Sequence, residues 1–386
     1  MVINSGTLMS AALFKSFFLG GFECSTHRTR EGRRLDMLAS TEHDKYAAAD
    51  YARLREIGIL TARDGIRWHL IEPTPYRYDF SSVLPMVRAA RDAKMQVIWD
   101  VCHYGWPDDL DVFSPAFIKR YSRLIREFSH ILKNETDGVQ FICPVNEISF
   151  LSWASAEVGY IFPYAESRGN ELKAQLVRAV IEGIEAVWDV LPQTRIIHAD
   201  PLINIIAEPT QPEKAGAAEA YRLSQFAAWD MICGKYLPAL GGDEKYLDVI
   251  GVNFYPHNQW MFGSLPYNPS FAVDRSHPLY KPFRRMLCEV YERYKRPLLV
   301  AETGAENELR PGWLRYVCDE VRAAMEAAVP VAAICLYPII NHPGWDDNRH
   351  CHNGLWEYPT ATGEREIYQP LADELRAQMS IFEADD

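Results

Sequence analysis

Two glutamates in this 386-residue chain sit at the ends of apolar, β-rich runs: Glu147 closes VQFICPVNE (139 to 147), and Glu302 follows PLLVA in PLLVAETG (297 to 304). A polar group inside a strand layer costs free energy unless it is paired, so charged strand ends ask for an explanation. Two carboxyl groups facing one another across a pocket suit the cleavage of a glycosidic bond. One protonates the departing oxygen, and the other attacks or supports the oxocarbenium-like carbon. Taken singly, each glutamate also reads as a helix cap or an arginine partner.

The elements that must position them alternate along the chain. Eight runs read as strands, at 17 to 25, 59 to 68, 96 to 104, 139 to 147, 195 to 202, 248 to 256, 297 to 304 and 331 to 339. Helical patterns lie between them at 43 to 57, 81 to 94, 114 to 133, 170 to 190, 215 to 237, 279 to 295 and 311 to 328. Continuous apolar strands alternating with amphipathic helices imply right-handed parallel crossovers, and eight such units favour a closed (β/α)8 TIM barrel. The first strand is expected near 17 to 25 and the last near 331 to 339, within a single domain over 1 to 386. The spacing predicts long βα loops at the C-terminal face after strands four, five, six and eight. No glycine-rich phosphate loop follows any strand. The other strand ends are polar too: Glu23, His27 and Arg28 after the first, Arg67-Trp68 after the second, His103 and Trp106 after the third, His198 and Asp200 on the fifth, Asn253 and Tyr255 on the sixth, and Tyr337 on the eighth with a loop reaching Trp345.

These residues resemble the retaining glycoside hydrolases of the (β/α)8 clan that carry the acid/base on strand four and the nucleophile on strand seven. The chain looks most like a shortened, divergent family 1 β-glucosidase. Pro144-Val-Asn146-Glu147 resembles that family's Thr-Phe-Asn-Glu-Pro element, and Val300-Ala-Glu302-Thr-Gly304 its Ile/Val-Thr-Glu-Asn-Gly element. Arg67-Trp68, His103-Tyr-Gly-Trp106-Pro107 and Gly251-Val-Asn253-Phe-Tyr255 add supporting matches. The resemblance implies a retaining β-glycosidase with Glu147 as general acid/base and Glu302 as nucleophile, requiring no cofactor and no metal. It further implies that Asn146 holds the sugar 2-hydroxyl, that Arg67 and Tyr255 hydrogen-bond the Glu302 carboxylate, and that His103 contacts a glycone hydroxyl. Trp106, Tyr337 and Trp345 are placed to face a sugar, and Glu23 lies near the position of the family's sugar-reading glutamine. The family's Trp-Ser and Asn-Phe-Glu-Trp elements after strand eight are replaced by Tyr337-Pro and His342-Pro-Gly-Trp345-Asp346-Asp347. Glucose or galactose preference therefore does not carry over, and the two aspartates disfavour a phosphorylated sugar.

Two other readings stand beside this one. A sugar-binding barrel without hydrolysis would keep the pocket. A metal-dependent barrel hydrolase would gather His198 and Asp200 with Asp100 and His103. Composition narrows the rest. With 40 Lys plus Arg against 52 Asp plus Glu, the net charge is −12, which argues against a nucleic-acid partner. No run approaches the ~18 apolar residues of a membrane span. Eight scattered cysteines read as buried free thiols of a reducing compartment, and residues 9 to 21 lack the pattern of a signal peptide. A cytoplasmic protein acting on carbohydrate is expected, with oligomeric state left open. Trp153 and Trp260 are further candidates to stack on sugar rings, whereas Trp99, Trp188 and Trp229 read as core.

Overall fold

The computed structural model describes residues 13–264 and 271–385; residues 9 to 12 of the stretch considered for a signal peptide lie outside them. Eight parallel strands close into a barrel: β1 Phe18–Gly21, β2 Thr61–Gly65, β3 Gln96–Cys102, β4 Phe141–Val145, β5 Arg195–Pro201, β6 Val249–Asn253, β7 Leu298–Thr303 and β8 Val331–Leu336. Each pairs with its neighbour in chain order, and β1 closes on β8 through Phe18 opposite Ile334 and Leu19 opposite Cys335. The expected (β/α)8 architecture is therefore the observed one.

The principal helices are α1 His43–Glu56, α2 Leu84–Asp92, α3 Pro115–Glu135, α4 Gly169–Trp188, α5 Ala215–Leu223, α6 Phe283–Tyr294, α7 Leu309–Glu326 and α8 Gln369–Asp385. α5 runs on through a 3-10 turn into Ala227–Ile232. In α3, Ser114 and Pro115 set the first turn, with proline at a position whose N–H has no helical acceptor. Phe117, Tyr121, Leu124, Ile125, Phe128 and Leu132 then recur at helical spacing and are buried. α8 lies beyond the helical patterns found in the sequence.

Strand alternation sorts the core into two layers. Val97, Trp99 and Val101 of β3 face the helices. Ile98 faces inward and joins Leu19, Cys143, Ile197, Ala199, Val249, Leu299, Ala301, Ala333 and Cys335, with Phe14 against Phe141. The barrel interior is thus a packed core. All eight cysteines are free, and all but Cys288 are buried. Among the described residues no helix is long and apolar enough to cross a membrane.

The long loops follow β4, β5, β6 and β8 as expected. The first carries a short helix, Ile148–Ser152, and the last carries two small antiparallel pairs. Gly21 ends β1 beneath the Tyr337 ring, where a Cβ would stand 2.2 Å from Tyr337 Cδ2. Gly21→Ala is accordingly expected to lower stability by about 1–3 kcal/mol through overpacking, read as a reduced urea midpoint at unchanged slope.

Candidate active site

The C-terminal mouth of the barrel is organised around Arg63, which lies inside β2 with no solvent exposure. Its guanidinium donates to both oxygens of Asp100 on β3 at 3.1 and 2.8 Å, to Glu302 Oε1 at 2.7 Å, to Asn146 Oδ1 at 2.6 Å and to the Ala301 carbonyl at 3.1 Å. This is the planar multidentate use for which arginine is suited. The Tyr337 ring covers it, with the guanidinium carbon 5.2 Å from the ring centroid.

Glu302 reaches this cation because β7 is irregular. On the β6 side, Val252 pairs with Val300 but the next residue, Asn253, pairs with Glu302; on the β8 side, Ile334 pairs with Val300 and Leu336 with Thr303. Each neighbour therefore meets one extra residue on β7, the signature of a bulge, which re-aims a side chain. Ala301 stays in the barrel core, and Glu302 still meets the inward-facing Arg63. Its second oxygen accepts from Tyr255 Oη at 2.9 Å.

Glu147 stands two residues beyond β4, at φ 48°, where the chain turns into the helix Ile148–Ser152. A non-glycine residue in the left-handed region carries a backbone cost. The turn is held by the Glu147 amide on the Ala199 carbonyl at 2.9 Å. The carboxylate accepts from Tyr104 Oη and from Asn253 Nδ2, the latter at 2.7 Å. No arginine or lysine ion-pairs with it among the described residues. Burial first, and then the nearby Glu302 charge, push its pKa up to about 8, against the pull of its two hydrogen bonds. Tyr104 is also left-handed, at φ 68°. Burial and the neighbouring Glu147 charge raise its phenol well above the usual range, so it remains a donor.

Asn146 links the two carboxylates. Its Oδ1 accepts from Arg63, and its Nδ2 faces His103 Nε2 at 3.1 Å and Tyr104 Oη at 3.0 Å. With the amide so oriented, His103 Nε2 accepts and Nδ1 donates to Asp100 at 3.0 Å, with Cys24 Sγ 3.2 Å away.

Of the residues singled out from sequence, the structure gathers Glu147, Glu302, Asn146, His103, Tyr255 and Tyr337 around this mouth. Trp345 forms a wall, its ring 4.5 Å from His27 and 5.8 Å from Tyr104. Glu23 is buried and accepts from Ser25 at its amide and hydroxyl. Two expectations are corrected. Arg67 does not reach Glu302: β2 ends at Gly65, and Arg67 precedes a short helix and turns to Asp44 at 2.7 Å, Asp36 at 3.2 Å and the Ser82 carbonyl. Arg63 makes the contact instead. Trp106 is fully buried against Phe117 and Phe162 and supports the loop from beneath.

The metal arrangement drawn from His198, Asp200, Asp100 and His103 is not assembled. His198 Nε2 bonds the Tyr246 carbonyl at 2.7 Å, and Asp200 takes the Ser149 amide and hydroxyl. Among the described residues two other groups could hold a metal: Cys24, Asp100 and His103, and separately His350, His352 and Glu357. The first shares Asp100 with the Arg63 guanidinium, which opposes a second cation.

Trp153 and Trp260 line a neighbouring cavity of about 260 Å³ with Phe150, Ile203, Tyr221 and Lys173. Its Ser149-Phe150 wall follows Glu147 in the chain, and its His257 ring stacks 5.7 Å from Tyr255. Sequence reasoning missed Arg63 as the partner of Glu302. Its signal was present as a charged pair, Arg63-Asp64, within the run Ile59-Leu-Thr-Ala-Arg-Asp-Gly-Ile66.

No family model and no curated protein matches the chain. Solved structures do match. A hyperthermophilic β-glucosidase mutant superposes with TM-score 0.75 at 13% identity, over 95% of this chain and 99% of that one. The β-glycosidase of the hyperthermophile Thermosphaera aggregans gives 0.75 at 12%, over 96% and 97%. The Thermotoga maritima β-glucosidase in complex with glucoimidazole gives 0.72 at 13%, over 96% and 97%. At these identities the likeness shows a shared barrel fold.

Proposed function

We propose that the protein is a retaining β-glycosidase, and the observation that carries this reading is the opposite electrostatic treatment of two carboxyl groups at one barrel mouth. Glu302 is held by Arg63 and Tyr255 as an anion ready to attack. Glu147, with no basic partner among the described residues and beside that anion, holds its proton at neutral pH. Such a division of roles between two carboxyls is what double displacement needs.

In the first step Glu302 Oε2 or Oε1 bonds to the anomeric carbon as the glycosidic C–O bond breaks, and Glu147 gives its proton to the departing oxygen. In the second step the Glu147 carboxylate takes a proton from water. The water oxygen bonds to the anomeric carbon, and the ester to Glu302 breaks. The likeness to glycosidase structures supports the substrate class. Asn253 Oδ1 and His27 Nδ1 are buried with no hydrogen-bond partner among the described residues, and there the hydroxyls of a polyol find open hydrogen-bonding capacity. The aromatic cavity beyond Phe150 takes the leaving group.

Glu302→Ala is expected to bring aryl-glycoside turnover to background, with azide restoring it and yielding the product of inverted configuration; full activity without azide would remove Glu302 from the nucleophile role. Since Glu147 must be protonated to act, kcat/KM should fall as pH rises through about 8. Glu147→Gln should erase that limb and slow substrates with poor leaving groups by roughly 10²–10⁴-fold. Arg63→Lys, which keeps the charge but loses the fork, should lower kcat by about 10²-fold or more, while Arg67→Ala should leave kcat within about threefold and lower thermal stability. The reverse ranking in steady-state kinetics would restore Arg67 as the partner of Glu302.

A further inference from the structure

The loop from β8 to α8 carries a cluster that the proposed chemistry does not use. His342–Pro343 pairs antiparallel with His350–Cys351, and Trp356–Pro359 pairs with Arg365–Ile367. On the return side of the first pair His350 and His352, two residues apart, present their rings together, with centroids 4.4 Å apart at 32°. Cys351 between them is buried and directs its Sγ to the Arg349 carbonyl. Glu357 on the second pair faces both imidazoles: Oε1 is 2.7 Å from His350 Nε2, and Oε2 is 3.5 Å from His352 Nδ1.

From this convergence we propose that His350, His352 and Glu357 form a binding site for a divalent transition-metal ion, with zinc as the best match to two imidazoles and a carboxylate. One ligand atom from each residue lies within 4.8 Å of the other two. A tetrahedral ion with Zn–N and Zn–O bonds of about 2.0–2.2 Å holds its ligand atoms roughly 3.3–3.6 Å apart, so small side-chain rotations complete the set. Arg310 is close enough for its charge to act on Glu357, but its guanidinium donates to the Asn307 and Gly354 carbonyls. Among the described residues no arginine or lysine pairs with Glu357. Arg349, the nearest basic side chain in sequence, is turned to Glu306 at 2.7 Å through two nitrogens. Both histidines and Glu357 keep some solvent exposure, from about a third to a half, which leaves room for water as the remaining ligand, as in three-ligand zinc sites.

The position gives the ion a structural consequence. The site ties the return strand of the 342–351 pair to the 356–359 strand, and Trp345, at the turn of the first pair, is the wall against His27 and Tyr104. A bound ion clamps the base of the loop whose tip borders Glu147's hydrogen-bond partner. The Cys24, Asp100 and His103 group offers thiol, carboxylate and imidazole as a competing location and must be distinguished.

The test uses the full-length, tag-free protein after chelator treatment, titrated with zinc chloride by calorimetry and, in parallel, with cobalt chloride by visible absorption. Wild type is expected to bind one equivalent saturably, with cobalt bands lacking sulfur-to-metal charge transfer. Hydrogen exchange across 342 to 358 should slow when zinc is present. His350→Ala/His352→Ala and, separately, Glu357→Gln should each weaken binding at least tenfold. Cys24→Ala should leave it unchanged. Absence of saturable binding in wild type, undiminished binding in both His/Glu variants, or loss of binding with Cys24→Ala would overturn the proposal.

Discussion

The buried guanidinium of Arg63 is the constraint around which the mouth of the barrel is arranged. At an effective dielectric of about 20, two unit charges 4 Å apart interact by about 4 kcal/mol, yet stripping water from each buried ion costs several kcal/mol in return. The arrangement holds because the donors of the fork are widely used: Asp100 bidentately, Glu302, Asn146 and a backbone carbonyl. Asp100 is neutralised and in turn orients His103, and Asn146 is fixed in one amide orientation. Removing the cation would leave two buried carboxylates uncompensated. The site is therefore as much a consequence of one cation as of two acids.

The same cation explains why two glutamates of one mouth differ. Glu302 shares its charge with Arg63, while Glu147 receives hydrogen bonds from Tyr104 and Asn253 but has no ion pair among the described residues. Hydrogen bonds to the anion lower a carboxyl pKa, but here burial and a like charge outweigh them. The backbone contributes as well. A bulge in β7 keeps Glu302 within reach of the guanidinium, and the left-handed turn at Glu147 lets it leave β4 while its amide still pairs with Ala199.

Much of this was legible in the chain. Eight largely apolar runs with intervening amphipathic stretches are a strong statement of parallel crossovers, and Asn146-Glu147 stands out because the strand it follows, Phe141–Val145, is apolar throughout. The errors have physical causes. Arg67 lies next to Trp68 just past a strand and imitates a motif, whereas which arginine enters the barrel is decided by the two-residue alternation of β2: Arg63 faces in with Thr61, and Asp64 faces out to His43 and Tyr51. Without the strand's end at Gly65, that parity cannot be read. Trp106 occupies a loop, yet it is core, because a large ring is buried wherever a cavity of its size is available. α8 escaped notice because its buried face, with Leu371, Leu375 and Phe382, is thin and interrupted by charges.

Identity of 12–13% with glycosidase structures across about 95% of the chain is less paradoxical once the constraints are separated. The barrel asks for inward residues whose volumes fill the interior in layers, and many combinations of Val, Ile, Leu, Ala and Cys do this. The mouth asks for something narrower: a cation inside β2, a carboxylate on either side of it, and amide and phenol groups to hold them apart in charge. The loops answer to neither requirement. After β8 the chain replaces the expected tryptophan-rich elements with two short antiparallel pairs, and the ring that borders the site, Trp345, is supplied from the turn of the first pair. Its backbone carbonyl accepts from Arg33 at 2.5 Å and its neighbour Asp346 from Tyr160 at 2.6 Å. The Trp345 wall is thus anchored by groups of the loops after β1 and β4.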